Sequence, residues 1–277
     1  MTTRLDSDLV RRGLARSRAV ARQLIVEGHV SVDGRIVTRP ATLVGPDAGV
    51  SVRHTDRQWV GRGAEKLLAA LTAFAADGLR VAGRRAIDVG ASTGGFTEVL
   101  LTHGAASIAA VDVGHGQLAP SIAGHARVTD YSGVSVRGLD PAAVGGRGDL
   151  VVADLSFISL TMVMSDLAAL CAPGGDLVLL VKPQFEVGRE RLGRGGVVRS
   201  PELQSAAVRA VGEAARTAGL RAFGLIRSPL TGSHGNVEYL LWLRPCLPEE
   251  DVGMPWHALV ERAERLAAPT VHQEEFA

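Results

Sequence analysis

The sequence predicts an α/β chain in which a doubly wound, Rossmann-like sheet takes most of the 277 residues and a small basic α+β module precedes it. Three observations predict this. A short apolar strand runs into a glycine-rich turn and then a helical periodicity between Arg85 and Leu101; apolar strands alternate with helical segments from there to about residue 245; and arginine is concentrated in the first sixty residues.

Those sixty residues carry ten arginines and six acids, a net +4, while the rest of the chain is −3. Such asymmetry points to a basic module for an anionic partner. Leu5 and Leu9 give a short helix that Gly13 ends, and Ser17 is placed to cap a second helix with Val20, Ala21, Leu24 and Ile25 facing inward. Arg18 and Arg22 then share a face. Val30-Ser31-Val32, Asp33-Gly34 and Arg35-Ile36-Val37 read as a β-hairpin whose turn pair suits a type I′ loop. Two basic helices and a small sheet make a compact RNA-binding shape, with Arg4, Arg11, Arg12, Arg16, Arg18 and Arg22 as candidate contacts. The plainer alternative is a solvated basic face.

Residues 57–60 form a linker in which Trp59 is a candidate hinge, and Gly61 to Phe74 an amphipathic helix with Leu67, Leu68, Leu71 and Phe74 on its apolar side. The central turn follows. It reads Asp88-Val89-Gly90-Ala91-Ser92-Thr93-Gly94-Gly95-Phe96, and Asp112 closes the next strand about twenty residues on, where folds of this kind hold ribose hydroxyls. The spacing is not the G-x-G-x-x-G that admits a pyrophosphate. A turn of the form D-x-G-x-x-x-G-G is instead of the kind used for S-adenosyl-L-methionine (SAM), which has no phosphate to cradle; an ordinary glycine-rich βα turn is the alternative.

From Gly114 to Gly148 the pattern is weak. Asp149 to Asp154 is a buried-type strand ending in an acid, a helix runs to about Cys171, Pro173-Gly174-Gly175 breaks it, and the strand from Leu177 to Val181 ends in Lys182. The loop 187–199 has four glycines and four arginines and is expected to close over substrate. A helix from about Pro201 to Ala218, a strand at Phe223 to Ile226 and another at Tyr239 to Leu243 complete the sheet. Beyond Pro245 a tail shows helical spacing at Trp256, Leu259, Val260 and Ala263. The expected division is thus 1–60, 61–245 and 246–277.

Lysine use is the most telling part of the composition. Of thirty basic residues only Lys66 and Lys182 are lysines. Arginine stays protonated in proteins whereas lysine can give up a proton, so lysines that persist in such a chain are candidate chemical groups.

At this point the residues resemble a family. Arg4-Leu5-Asp6, Gly13-Leu14-Ala15-Arg16-Ser17-Arg18 and Gly28-His29-Val30-x-Val32-Asp33-Gly34 look like the RNA-binding module named from a small-subunit ribosomal protein. Lys66, Asp154, Lys182 and Glu238 match in order the lysine-aspartate-lysine-glutamate tetrad of FtsJ-like 2′-O-ribose methyltransferases. With Asp154-Leu-Ser-Phe-Ile-Ser-Leu160, Lys182-Pro-Gln-Phe-Glu-Val-Gly188 and Gly235-Asn236-Val-Glu238-Tyr239, the chain to about Arg244 resembles the TlyA family of rRNA cytidine 2′-O-methyltransferases, also called haemolysins. The resemblance implies SAM as cofactor, held by Asp88, Gly90 to Phe96 and Asp112, and ribosomal RNA or subunits as partner. It implies Lys182 as base or hydroxyl-positioning group, Asp154 and Glu238 as orienting carboxylates, and Lys66 as a like charge acting on Lys182. One departure is Ser132-Gly133-Val134-Ser135, where the family usually has an acid-arginine-threonine-asparagine run.

Cys171 and Cys246 have neither metal-ligand spacing nor a disulfide framework, no metal is expected, and no apolar run reaches about 18 residues. A cytoplasmic protein without a membrane partner is the expectation. On sequence alone a non-catalytic rRNA-binding assembly factor and a membrane-lytic haemolysin remain as alternatives.

Overall fold

The computed structural model describes residues 2–15, 18–26, 28–52, 59–193, 195–232, 235–246 and 253–268. Two compact units divide the chain, Met1–Gln58 and Trp59–Ala277.

The first unit contains β1 (Thr3–Arg4), α1 (Leu5–Arg11), α2 (Arg18–Val26), β2 (Val30–Val32), β3 (Arg35–Ile36), β4 (Leu43–Val44) and β5 (Val50–Val52). Leu5, Leu9, Ala21, Ile25 and Val30 are fully buried, so the helices and the β3-β2-β5 sheet share one small core. Val32 pairs with Arg35 across the two-residue turn, whose Asp33 and Gly34 have φ of 49° and 79°. Both values are positive, as a type I′ hairpin requires. Ser17, expected to cap α2, lies outside the described residues.

The second unit opens with α3 (Gly63–Phe74) and continues through β6 (Arg85–Val89), α4 (Gly95–Thr102), β7 (Ser107–Asp112), α5 (Pro120–Ala123), β8 (Val128–Ser132), β9 (Gly148–Ala153), α6 (Met164–Leu170), β10 (Cys171–Val181), α7 (Pro183–Glu186), α8 (Pro201–Thr217), β11 (Leu220–Arg227), β12 (Tyr239–Pro245) and α9 (Trp256–Ala267). Seven strands lie in the order β11-β12-β10-β9-β6-β7-β8. Five neighbours, β10 to β8, are parallel, and β12 runs antiparallel to both β10 and β11. The parallel strands are buried on both faces, which explains their near-continuous apolar runs. One core layer, with Ile87, Leu167, Val208 and Leu259, packs on one face and another, with Leu67, Phe74, Leu100 and Trp242, on the other. Strand order reverses between β6 and β9. In such sheets a ligand crevice opens there, beyond the carboxyl ends of the strands.

The weakly patterned region holds the edge strand β8, whose sequence Val128-Thr129-Asp130-Tyr131-Ser132 is too polar for a buried-strand signature. The C-terminal helix α9 packs on α8 and buries Leu259 and Ala263, so it belongs to the second unit's core.

Candidate active site

Strand register assembles the site. Val89 pairs with Ala153, so Gly90 and Asp154 leave adjacent strands side by side, and the Asp154 amide donates to the Val89 carbonyl at 3.0 Å. A Cβ on Gly90 would meet the Asp154 carbonyl oxygen at 2.6 Å, and φ there is +83°, so only glycine fits. On the other side Val181 pairs with Tyr239. Because β12 is antiparallel, its first residues lie at the carboxyl end of β10, which brings Glu238 beside Lys182 although 56 positions separate them in the sequence.

A cavity of about 780 Å³ occupies this end of the sheet, lined by the turn residues Gly90, Ala91, Ser92, Thr93, Gly95 and Phe96 and by Lys66, Asp154, Lys182 and Glu238. The four tetrad residues form two pairs. Lys66 Nζ donates to Glu238 Oε2 at 2.5 Å, and Lys182 Nζ lies 2.5 Å from Asp154 Oδ1 and donates to Ser156 Oγ at 2.9 Å. Both lysines are 8% exposed and Glu238 is 2% exposed. Each buried ammonium thus has its own carboxylate, as burial of charge demands.

Three of the expected cofactor contacts sit off this cavity wall: Asp88, Gly94 and Asp112. Asp88 is fully buried and accepts from Thr97 Oγ1 at 2.6 Å, which ties strand β6 to the first turn of α4. Its other oxygen has no partner, and burial pushes its carboxyl up to about 7. Gly94 has φ +94°, and a Cβ there would meet Ile122 Cγ2 at 2.9 Å; that glycine is required by the turn and its packing, not by ligand space. Asp112 accepts from the Ser92 amide at 2.8 Å and the Gly114 amide at 2.7 Å, bracing the turn. A carboxylate has lone pairs to spare after two such bonds.

The segment before α3 is a second wall. Cβ atoms on Gly61 or Gly95 would meet Thr93 Oγ1 at 2.5 Å and the Gly61 carbonyl at 3.1 Å respectively, so this backbone lies directly on the glycine turn. Val60 donates from its amide to Glu98 of α4 at 2.7 Å, and Trp59 packs on the core of the second unit.

Sequence reasoning passed over several groups. Phe157 is 92% exposed at the cavity with φ +65°, and its ring meets that of Phe185 at 5.3 Å. A bulky residue in the left-handed region beside a cavity is strained backbone of the kind found at functional sites. Glu186 accepts from Ser159 Oγ and from the Leu160 amide at 2.8 Å, joining the loop after β9 to α7; burial raises its carboxyl above the usual range. Asn236 Oδ1 accepts from the Val198 amide at 2.8 Å, and its Nδ2 donates to the Gly196 carbonyl at 3.0 Å. Gln204 Nε2 donates to the Val198 carbonyl at 2.8 Å. The end of the loop expected to close over substrate is therefore fixed to the scaffold at 196–198. The sequence signal for Phe157, Glu186 and Asn236 was their place in the motifs around the tetrad residues, whereas Gln204, in the first turns of α8, carried none.

In the first unit the arginines surround two fully buried acids. Arg4 donates to Asp6 with Nε and Nη2 at 3.1 and 3.0 Å, and Arg18 Nη2 and Arg22 Nε reach the same carboxylate at 3.4 and 3.6 Å. Arg11 and Arg12 pair with Asp8, and Arg12 also donates to the carbonyls of Ala48, Gly45 and Pro46. Arg12 thereby holds the chain between β4 and β5. Arg16 lies outside the described residues.

No helix among the described residues is long and apolar enough to cross a membrane, and these residues contain no group of three or more His, Cys, Asp or Glu placed to hold a metal ion.

Residues 59–245 match the family model described as FtsJ-like methyltransferase, and residues 3–50 match the S4 domain model. The chain is 53% identical over 242 residues to the 16S/23S rRNA (cytidine-2′-O)-methyltransferase TlyA of Mycobacterium tuberculosis, covering 87% of this chain and 89% of that one. It is 32% identical over 238 residues to hemolysin A of Brachyspira hyodysenteriae, covering 86% and 98% of the two chains. A solved structure from Streptococcus thermophilus that carries the hemolysin name superposes with a TM-score of 0.72 at 34% identity, covering 95% of this chain and 96% of that one.

Proposed function

Because the chain belongs to the FtsJ-like methyltransferases and carries an S4 domain ahead of that fold, we propose that it methylates the ribose 2′-hydroxyl of a cytidine in ribosomal RNA, using SAM. The observation that carries this reading is the cavity that unites the glycine turn with two lysine–carboxylate pairs.

The residues present fit SAM. The cavity, about 780 Å³, is within the range for a small-molecule site, and Gly90 and Gly95 line it with bare backbone that packs directly on Asp154 and Gly61, where a Cβ would clash. Gly90 to Phe96 and the wall at Gly61 and Gly63 would hold the cofactor, while Asp112 keeps lone pairs for ribose hydroxyls. Asp88 and Gly94 act at one remove, by fixing the turn. When bound, SAM supplies a methyl carbon already activated by its sulfonium.

What remains for the protein is to place the ribose oxygen in line and to take its proton. Lys182 Nζ does this at the end of β10. In its amine form this nitrogen would take the hydroxyl proton on its lone pair, and Asp154 Oδ1, 2.5 Å away, would stabilise the ammonium so formed. Lys66, held by Glu238, supplies positive charge to the same cavity. The exposed ring of Phe157, backed by Phe185, is a stacking surface for the base at the mouth. The S4 unit binds structured RNA through its exposed arginines, and the reaction takes place in the cytoplasm, where ribosomes are.

The test is a map of ribose methylation by primer extension or mass analysis in rRNA from cells with and without the protein. A cytidine 2′-O-methyl group that disappears with the gene is the expected result. An unchanged map would leave only RNA binding, as for an assembly factor that needs neither lysine.

A further inference from the structure

We propose that Ser156 is a positioning residue for the reaction. Its hydroxyl fixes the rotation about the Cε–Nζ bond of Lys182, so that the one position left free on the nitrogen faces the ribose oxygen. This rests on the methyltransferase reading above.

An ammonium has three protons and no lone pair. At Lys182 one is donated to Ser156 Oγ at 2.9 Å, while Asp154 Oδ1 lies 2.5 Å from the nitrogen as its ion-pair partner. Without the serine the group could turn about its Cε–Nζ bond and carry the free position away from the substrate. Register explains the contact: Leu179 pairs with Ala153, and the same alignment carried three residues further sets Lys182 opposite Ser156.

The loop that carries Ser156 is held there by three independent restraints. Phe157 takes φ +65°, which turns its own side chain out of the strand direction. Its ring rests on Phe185 of α7, three residues beyond Lys182. Glu186 of the same helix accepts from Ser159 and from the Leu160 amide. Left-handed backbone at a phenylalanine is unfavourable, and so is burying the Glu186 carboxylate. Such costs persist where the surrounding structure fixes a geometry, and the polar group this geometry delivers to the lysine is Ser156.

The chain offers an unusually direct test, because Lys66 and Lys182 are its only lysines. Labelling the lysine side chains with ¹⁵N gives two ammonium resonances, and Lys182→Arg assigns them by removing one. In the full-length protein, Ser156→Ala is expected to shift the Lys182 resonance and speed its proton exchange, with Lys66 unmoved. It is expected to lower kcat by about 10- to 100-fold, the scale of misplacing a reacting group by about 1 Å, with the Kd values for SAM and RNA unchanged within about twofold. Ser156→Thr keeps the hydroxyl and should restore both the resonance and most of kcat. An unmoved Lys182 resonance in the alanine variant, or a threonine variant as slow as the alanine one, overturns the proposal. Should the wild-type protein transfer no methyl group to RNA, the methyltransferase reading falls, while the resonances still decide whether Ser156 holds the ammonium.

Discussion

Asp6 and Asp88 are both completely buried, and the two units of the chain surround them in opposite ways. Asp6 has arginines: the hydrogen bonds from Arg4, helped by Arg18, hold its carboxyl down at about 2 although burial works against them. Asp88 has no cation, only Thr97, and burial pushes it up to about 7. The first unit buries anions so that permanently charged guanidinium groups are fixed in an arrangement that faces solvent. At its cavity the second buries two lysines and meets each with a carboxylate, although away from the cavity it too buries an acid, Asp176, against Arg84 and Arg244. Arginine suits the first task, which is to present charge to phosphates; lysine suits the second, which is to move a proton.

Exchange of the two kinds of cation is the sharpest way to break that contrast. Lys182→Arg keeps the charge in a chain that uses arginine at 28 other positions, yet a bulky guanidinium that stays protonated cannot relay the hydroxyl proton. The expected result is a folded protein that binds SAM and RNA and loses methyl transfer by at least about a hundredfold. Near-normal turnover would reduce Lys182 to an electrostatic role and remove the difference between the two units.

Gly94→Val comes next, and it tests the cofactor side of the cavity. With φ +94° and Ile122 Cγ2 at 2.9 Å from a new Cβ, the side chain must distort the turn rather than fill the ligand's space. Strain of about 2 kcal/mol corresponds to about thirtyfold weaker SAM binding, accompanied by a lower Tm. Calorimetry that finds weaker binding with an unchanged Tm would return Gly94 to direct ligand contact.

How far such details were legible depends on whether the residues are contiguous. The turn from Asp88 to Phe96 could be read because strand, glycines and helix follow one another in the sequence, and Lys66 and Lys182 stood out because lysine is otherwise absent. Their pairing could not be read. Lys182 meets Asp154 because β10 lies parallel beside β9, and Glu238 is brought to the lysines because β12 runs antiparallel beside β10, properties of register and not of composition. The same holds for Asp6 and Asp8. As symbols they partly cancel the basic charge, whereas in the fold they organise it. Nor does Ser-Phe-Ile announce that its phenylalanine has a positive φ.

Four of the six candidate RNA-contacting arginines separate into two kinds. Arg4, Arg18 and Arg22, with side chains 42%, 61% and 62% exposed around Asp6, face solvent, while Arg12 is 23% exposed and committed to Asp8 and three carbonyls. Replacing Arg4, Arg18 and Arg22 together with alanine should weaken RNA binding about tenfold or more at low salt, and make its log–log salt dependence shallower by about two to three. Arg12→Ala should leave that slope alone and lower stability by roughly 1–3 kcal/mol, because the buried Asp8 loses one of its two arginines. A salt slope that changes with Arg12 and not with the other three would invert the assignment.

The last test bears on the opposite pole of the comparison. An acid raised from 3.8 to about 7 by folding binds its proton more tightly in the folded state than in the unfolded one. Between about pH 4 and pH 7 the unfolded chain has released that proton and the folded chain has not, so stability falls as pH rises through this window and levels off above it. Asp88→Asn keeps an acceptor for Thr97 and cannot titrate, so denaturant unfolding of the variant should lack this part of the pH slope. Asp6 works in the other direction: its contribution is present above about pH 4 and lost as pH falls towards 2, so the two buried acids give slopes of opposite sign in separate windows. A variant whose stability between pH 4 and 7 follows the parent's would mean that Asp88 is ionised in the folded protein, held by a partner other than Thr97, and the contrast with Asp6 would disappear.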